Sequence, residues 1–263
     1  MISIRRREWG GSKQALVSLL RSLAPGGSLK EQPVQAPWVE VDQVVFDFLW
    51  SRSGPNFCGV IALIDYGAGN LRSVHKALLH LGAEVQLVTQ PDQLEGCPAI
   101  VLPGVGAFDD CSTALNNQSL MEATRERIRQ GAWFLGICVG YQILFERSEE
   151  FESTSPGFGL FEGPVVRFPN QPGLKVPQIG WNQVRQVRSN CPLFRGIPDQ
   201  SHFYFVHSYH PQPVDSAIIA GETDYGHTFA SAVWQDRVFA TQFHPEKSQR
   251  AGLRLLKNFV ELV

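Results

Sequence analysis

An α/β fold is predicted: a mostly parallel open sheet with helices on both faces, plus a smaller antiparallel portion. Three observations carry this. Short apolar runs alternate with helical periodicity from Val60 onward. Trp133-Phe134-Leu135-Gly136-Ile137-Cys138 is a strand-like run that passes at once into a helical pattern. Asp65, Pro103-Gly104, Cys138 and His244 all fall just after such runs, and the carboxyl ends of the strands are where open α/β sheets bind ligands.

Taken in order, Val60 to Ile64 reads as a strand and Asp65 to Asn70 as a turn. Leu71 to Leu81 is helical, with Val74, Leu78 and Leu81 on one stripe. Glu84 to Thr89 and Ala99 to Leu102 are strands, Ser119 to Arg129 is a helix, and Ala132 to Ile137 is the next strand. The helix after it is expected to run to about Glu146. Val165 to Val187, Phe203 to Val206, Ala217 to Ala220 and Ala230 to Trp234 look antiparallel. Val238 to Phe243 is a further strand, and a final helix spans Ala251 to Leu262.

Residues 1–59 differ from the rest and are read as an N-terminal extension, either loosely ordered or a start-site artefact, with the folded domain over 60–263. Ser12 would cap a short helix carrying Leu16, Leu19, Leu20 and Leu23, which Pro25-Gly26-Gly27 would end. Arg5-Arg6-Arg7 ahead of this stretch superficially resembles a signal peptide, but Arg21 interrupts the apolar run and no small-residue cleavage site follows. The acids Glu8, Glu31, Glu40, Asp42 and Asp47 speak against an organelle transit peptide.

Composition excludes several classes. A net charge of −2 over 263 residues argues against a nucleic-acid or anionic-membrane partner held by bulk charge. No apolar run approaches the roughly 20 residues of a membrane span. The five cysteines are scattered without metal or redox spacing, which fits a reduced, cytoplasmic chain. The histidines form no metal-ligand pattern, so no metal and no cofactor are expected.

The chemistry centres on Cys138. Gly136 and Gly140 flank it where a sharp elbow leaves no room for side chains. Helix N–H groups after the turn would favour the nucleophilic thiolate. Taken alone, the pattern is as consistent with a packed structural thiol. His244 and Glu246 shift the balance: a histidine can take and return the thiol proton, and a carboxylate can orient the imidazole. Glycines in Pro103-Gly104-Val105-Gly106 would let backbone N–H groups meet a developing oxyanion, although an ordinary loop has the same composition.

Together these residues resemble the class I, triad-type glutamine amidotransferases. G-I-C-V-G-Y-Q at 136–142 and H-P-E at 244–246 carry that resemblance. D-Y-G-A-G-N-L at 65–71, P-G-V-G-A-F at 103–108, V-P-Q-I-G-W-N at 176–182, Y-F-V-H-S-Y at 204–209 and F-H-P-E-K-S at 243–248 are similar to the glutaminase subunits of imidazole glycerol phosphate synthases. The match spans about Val60 to Val263.

The resemblance implies a glutaminase in histidine biosynthesis with Cys138, His244 and Glu246 as catalytic triad. Gly104, Gly106 and Val139 would supply oxyanion donors, and Gln142, Glu150, Ser208 and Tyr209 would bind glutamine. It further implies a heterodimer with a separate TIM-barrel cyclase subunit, which takes the ammonia. Asn70, Trp181, Tyr204 and Lys247 match partner-interface or gate positions. Outside the resemblance, Glu150 could be a solvated helix-end acid and Tyr209 a core aromatic.

Two departures stand out. Gln178 and Ile179 replace the commoner histidine and methionine of the family, and residues 1–59 precede the usual first strand. The run from Val60 reads as a complete family N-terminus, which suggests translation from a non-AUG codon there. An intact mass that includes Met1 or its neighbours would rule that out. Rival readings are a glutaminase serving another synthase, a catalytically silent scaffold, and a cysteine hydrolase of other specificity. The G-W-N and Y-F-V-H-S-Y segments, the intact triad, and Gln142 with Glu150 argue against them in turn.

Overall fold

In a computed structural model, residues 59–67 and 70–263 are described. The expected helix after Ser12, the apolar piece Val44 to Trp50 and Cys58 lie outside the described residues. So does the middle of the turn after Asp65.

The chain opens with β1 (Ile61–Ile64), whose four side chains are all buried, as expected of a strand covered on both faces. Helix α1 (Leu71–His80) follows and buries Val74, Ala77 and Leu78. β2 (Val85–Val88) and β3 (Ala99–Gly104) pair in parallel on either side of β1. Two helices come next, α2 (Phe108–Asn117) and α3 (Leu120–Arg129). β4 (Trp133–Cys138) then lies parallel to β3, with Gly104 opposite Cys138.

A single helical turn, α4 (Val139–Gln142), leads to β5 (Phe145–Ser148). β6 (Phe161–Arg167), β7 (Gln178–Gln186), β8 (Ser201–His207), β9 (Tyr209–Pro211), β10 (Ile219–Asp224), β11 (Thr228–Gln235) and β12 (Val238–Thr241) follow. Helix α5 (Gln249–Val260) comes last. The large sheet runs β2-β1-β3-β4-β12-β11-β10-β7-β8, and a small one runs β5-β6-β9.

The five strands from β2 to β12 are parallel, and the sheet turns antiparallel at β11. The crossover β1-α1-β2 steps one way along the sheet and β3-α2-α3-β4 steps the other. Right-handed crossovers therefore place α1 on one face and α2 and α3 on the opposite one. Helix α5 joins α1, while α2 and α3 pack together. β1 and β3 form the point where strand order reverses, which opens a crevice at their carboxyl ends.

One local expectation fails, and one helix goes unforeseen. The helix after Cys138 ends at Gln142 rather than near Glu146. Residues 139–145 are buried on every side, so they lack the one-sided stripe of a surface helix. The Ile143 carbonyl accepts from Phe158, and the Leu144 carbonyl from Leu160 and Phe161, so segment 157–161 takes the carbonyls that a longer helix would have used. The second miss is α2. Its N-cap is Ala107, which has no capping side chain, so the usual start signal is absent.

Candidate active site

Four strand ends build the site. Cys138 closes β4 at φ 57°, ψ −108°, a left-handed conformation that costs a non-glycine residue about 1–3 kcal/mol. Its neighbours impose this turn. A Cβ on Gly136 would meet the Gly140 carbonyl oxygen at 2.3 Å, and one on Gly140 would meet the Leu102 oxygen at 1.9 Å. A Cβ on Gly104 would meet Val139 and Gly140 within 2.9 Å. The elbow is thus pressed onto the end of β3, and only glycine fits at these contacts.

His244 follows β12. Its Nδ1 lies 2.8 Å from Glu246 Oε1, and both side chains are buried. The same carboxylate oxygen accepts from Asn70 Nδ2 at 2.5 Å. Glu246 Oε2 and His244 Nε2 have no hydrogen-bond partner, so Nε2 is free for chemistry. Burial alone would depress the imidazole, but the adjoining Cys138 sulfur and then Glu246 override it, and His244 is pushed up to about 10. Ser248 staples this loop to β8: its hydroxyl donates to the His244 carbonyl at 2.6 Å and accepts from Tyr204 N–H at 2.9 Å.

Cys138 and His244 line a cavity of about 320 Å³, large enough for an amino acid. Val105, Gly106, Val139, Gln142, Glu150, Ser208, Tyr209 and Lys247 line it as well. Gly104 does not; it packs against the elbow, and Asp65 instead accepts from Gly67 N–H within its own turn at 3.0 Å. Glu150 Oε2 accepts the Phe108 N–H at 2.8 Å, which caps α2 from a distance of 42 residues. Burial pushes its carboxyl up against the lowering effect of that N–H, and Asp109 and Asp110 add to the rise.

Gln142 Nε2 donates to the Tyr209 carbonyl at 2.9 Å and to Gln242 Oε1 at 3.2 Å. Both amide hydrogens are thereby engaged, and its Oε1 remains to accept from a ligand. His207 Nδ1 reaches the same Tyr209 carbonyl at 2.8 Å, and Nε2 lies 2.9 Å from the Gln178 side-chain amide. Burial drives His207 down to about 3. It is therefore neutral and donates from Nδ1, which leaves Nε2 unprotonated; the Gln178 amide, placed with Oε1 toward Nε2, satisfies it once turned about to present its NH2.

Of the expected interface residues, Trp181 and Tyr204 stack edge to face at 6.0 Å, and Lys247 Nζ lies 5.9 Å above the Tyr204 ring. Beside them Ile179 is 63% exposed and Trp181 46%. Asn70 stands apart from this patch and bonds Glu246. Sequence reasoning missed Gln242 and Ser248 as parts of the site, and also Tyr66, whose buried hydroxyl lies against Gly104 at the elbow. Gln242 and Ser248 flank the His244-Glu246 pair within a few residues, which was the available signal.

Among the described residues no group of histidine, cysteine and acid side chains could hold a metal ion, and no helix is long and apolar enough to cross a membrane.

The glutamine amidotransferase class-I family matches residues 62–262. A relative from a Synechococcus strain, imidazole glycerol phosphate synthase subunit HisH, is 50% identical over 204 residues, covering 77% of this chain and 94% of its own. The HisH subunit of Syntrophotalea carbinolica is 46% identical over 208 residues, covering 77% and 100%. Among solved structures, PurLQS from Thermotoga maritima superposes with a TM-score of 0.63 at 18% identity, covering 78% of this chain and 98% of the other. A crystal structure of a glutamine amidotransferase gives 0.61 at 22%, covering 78% and 100%. These two similarities speak to the fold. With the cysteine elbow, the His244-Glu246 pair and the cavity between them in place, the chain belongs to the class-I glutamine amidotransferases and, among them, to the HisH subunits of imidazole glycerol phosphate synthase.

Proposed function

We propose that Cys138, His244 and Glu246 hydrolyse glutamine to glutamate and ammonia. The observation that carries this is the free Nε2 of a buried, carboxylate-held His244 sharing one cavity with a strained Cys138. Glutamine enters with its amino-acid end toward Glu150, Gln142, Ser208 and Tyr209. The Cys138 sulfur attacks the side-chain amide carbon, and the electron pair of the C=O moves onto oxygen. Backbone N–H groups of Val139 and of Val105 and Gly106, which line the cavity where Gly104 does not, receive that oxyanion. His244 Nε2 protonates the leaving nitrogen, ammonia departs, and a glutamyl thioester remains. His244, now neutral, takes a proton from water as it attacks the thioester, and the sulfur leaves with its bonding pair. α4 is one turn long, so its macrodipole adds little. The charge set beside the sulfur is the His244 imidazolium.

Ammonia released into water would be protonated and lost as a nucleophile, so a second chain sealing the rim is part of this reading. We place there a TIM-barrel cyclase subunit, in a heterodimer, which uses the ammonia to form imidazole glycerol phosphate and aminoimidazole carboxamide ribotide. The exposed Ile179 and Trp181 beside Tyr204 and Lys247 support that seat. The reading assigns the amidotransferase domain to residues 60–263, with 1–59 as an extension. Free thiols at Cys97, Cys111, Cys138 and Cys191 support a cytoplasmic setting.

The test is a glutaminase assay with and without the cyclase and its substrate. Activity is expected to be low alone and strongly stimulated in the complex. Cys138→Ala should abolish glutamine-dependent turnover and leave the use of free ammonia intact. Loss of both activities, or full activity alone, contradicts the channelled reading.

A further inference from the structure

A hydrogen-bonded chain runs from the Tyr209 carbonyl through Gln142 and Gln242 to Cys138, and chemistry fixes its direction. A backbone carbonyl only accepts, so Gln142 must turn its NH2 toward Tyr209, at 2.9 Å. The second hydrogen of that NH2 meets Gln242 Oε1 at 3.2 Å. With its oxygen engaged there, Gln242 presents its own NH2 to Cys138 Sγ, at 3.7 Å. The O and N ends of the two amides are therefore set by an anchor that cannot be flipped. Gln242 is fully buried, and its backbone N–H is held by the Ser231 carbonyl at 2.9 Å, so no water competes for the contact.

We propose that Gln242, beside the His244 imidazolium, is a hydrogen-bond donor to the Cys138 sulfur, which fixes its orientation and favours its anionic form. The proposal deepens the glutaminase reading and rests on Cys138 as its nucleophile. The sulfur is anionic twice in that cycle: before it attacks the amide, and when the C–S bond of the thioester intermediate breaks and sulfur keeps the electron pair. At the second moment His244 has just delivered or is receiving a proton, and its hold on the sulfur varies. An amide N–H does not titrate in the working range, so Gln242 donates throughout. Gln142, assigned to the substrate, thereby also orients the group that holds the nucleophile.

The titratable groups around the sulfur are His244 and Glu246 after β12, Tyr66 after β1 and Cys111 on α2, with Glu150 and Lys247 in the cavity wall. The test leaves all of them unchanged. In the full chain, the rate of iodoacetamide alkylation at Cys138 is followed against pH by peptide mass, which separates it from the other cysteines. Gln242→Met removes the donor at similar volume. Gln242→Glu keeps an acceptor for Gln142 but turns an anion toward the sulfur.

The half-maximal pH should rise by about one unit in Gln242→Met, roughly a tenfold loss of thiolate below the midpoint, and further in Gln242→Glu. In the complex kcat should fall roughly tenfold with KM little changed. Unchanged midpoints in folded variants overturn the proposal. If neither variant folds, Gln142→Leu decides: it keeps Gln242 and removes the anchor of its amide, so an unmoved midpoint overturns the proposal and a raised one supports it. Failure of the parent reading is visible separately, as glutamine turnover that survives Cys138→Ala.

Discussion

Asn70 Nδ2 lies 2.5 Å from Glu246 Oε1, the oxygen that also receives the His244 Nδ1 hydrogen at 2.8 Å. The first turn after β1 and the loop after β12 are thus tied at the carboxylate that orients the imidazole. The resemblance implies an interface or gate position for Asn70; its bond places it behind His244 through Glu246.

Asn70→Ala removes a hydrogen bond to a charged group, worth about 1.5–3 kcal/mol. Glu246 can then rotate and the imidazole loses its fixed aim. In the complex we expect kcat to fall about tenfold to a hundredfold with KM little altered. Steady-state glutaminase kinetics check this; a rise in KM alone would show that Asn70 serves binding instead.

The elbow is intolerant of added volume. In Gly140→Ala the new Cβ would sit 1.9 Å from the Leu102 carbonyl oxygen, a backbone atom that cannot step aside. We expect a loss of about 3 kcal/mol or more, read as a lower urea midpoint. Gly159→Ala meets nothing within 4 Å, although its φ is +60°, and should cost only about 1 kcal/mol.

Acid should unfold the protein through two buried imidazoles. Burial holds His207 down to about 3 and His210 to about 4. Both are neutral when folded, whereas in the unfolded chain they bind a proton below about 6.5. The unfolded state therefore carries more protons between about pH 6.5 and about 4. Their contribution is complete above that window and falls as pH drops through it, by about 1.4 kcal/mol per pH unit for each histidine, whereas His244, held up at about 10, contributes in the opposite sense and loses its share as pH rises above about 6.5. Chemical denaturation across pH 4–7 measures the slope, which His210→Gln should reduce. An unchanged slope would place the acid sensitivity elsewhere.

The exposed aromatic seat should govern assembly. Trp181→Glu sets a charge where Trp181 covers Tyr204. We expect affinity for the cyclase to fall by about 2 kcal/mol or more, roughly thirtyfold. Titration calorimetry gives the number, and an unchanged affinity would remove this patch from the interface.

The parallel half of the fold was legible because each strand there is a short run buried on both faces, so β1, β3 and β4 announce themselves as apolar blocks. The cysteine elbow and the His244-Glu246 pair were legible because a cysteine between glycines and H-P-E at a strand end are local patterns. α2 was invisible: its N-terminus is capped by Glu150 from 42 residues away, and its own Ala107 carries no signal. The helix expected to continue to Glu146 failed for the same kind of reason, since the carbonyls of Ile143 and Leu144 are claimed by the later segment 157–161.

Sequence alone determined the chemical vocabulary of this protein: a thiol on a strained turn, an imidazole, a carboxylate, and glycines where backbone must come close. Those are properties of neighbouring residues, which periodicity and steric rules can read. Only tertiary structure decided how they are held. Asn70 to Glu246 spans 176 residues and Gln242 to Cys138 spans 104. Hydrogen bonds of this length depend on which strand ends the sheet order brings together, and no local pattern in the chain records that order.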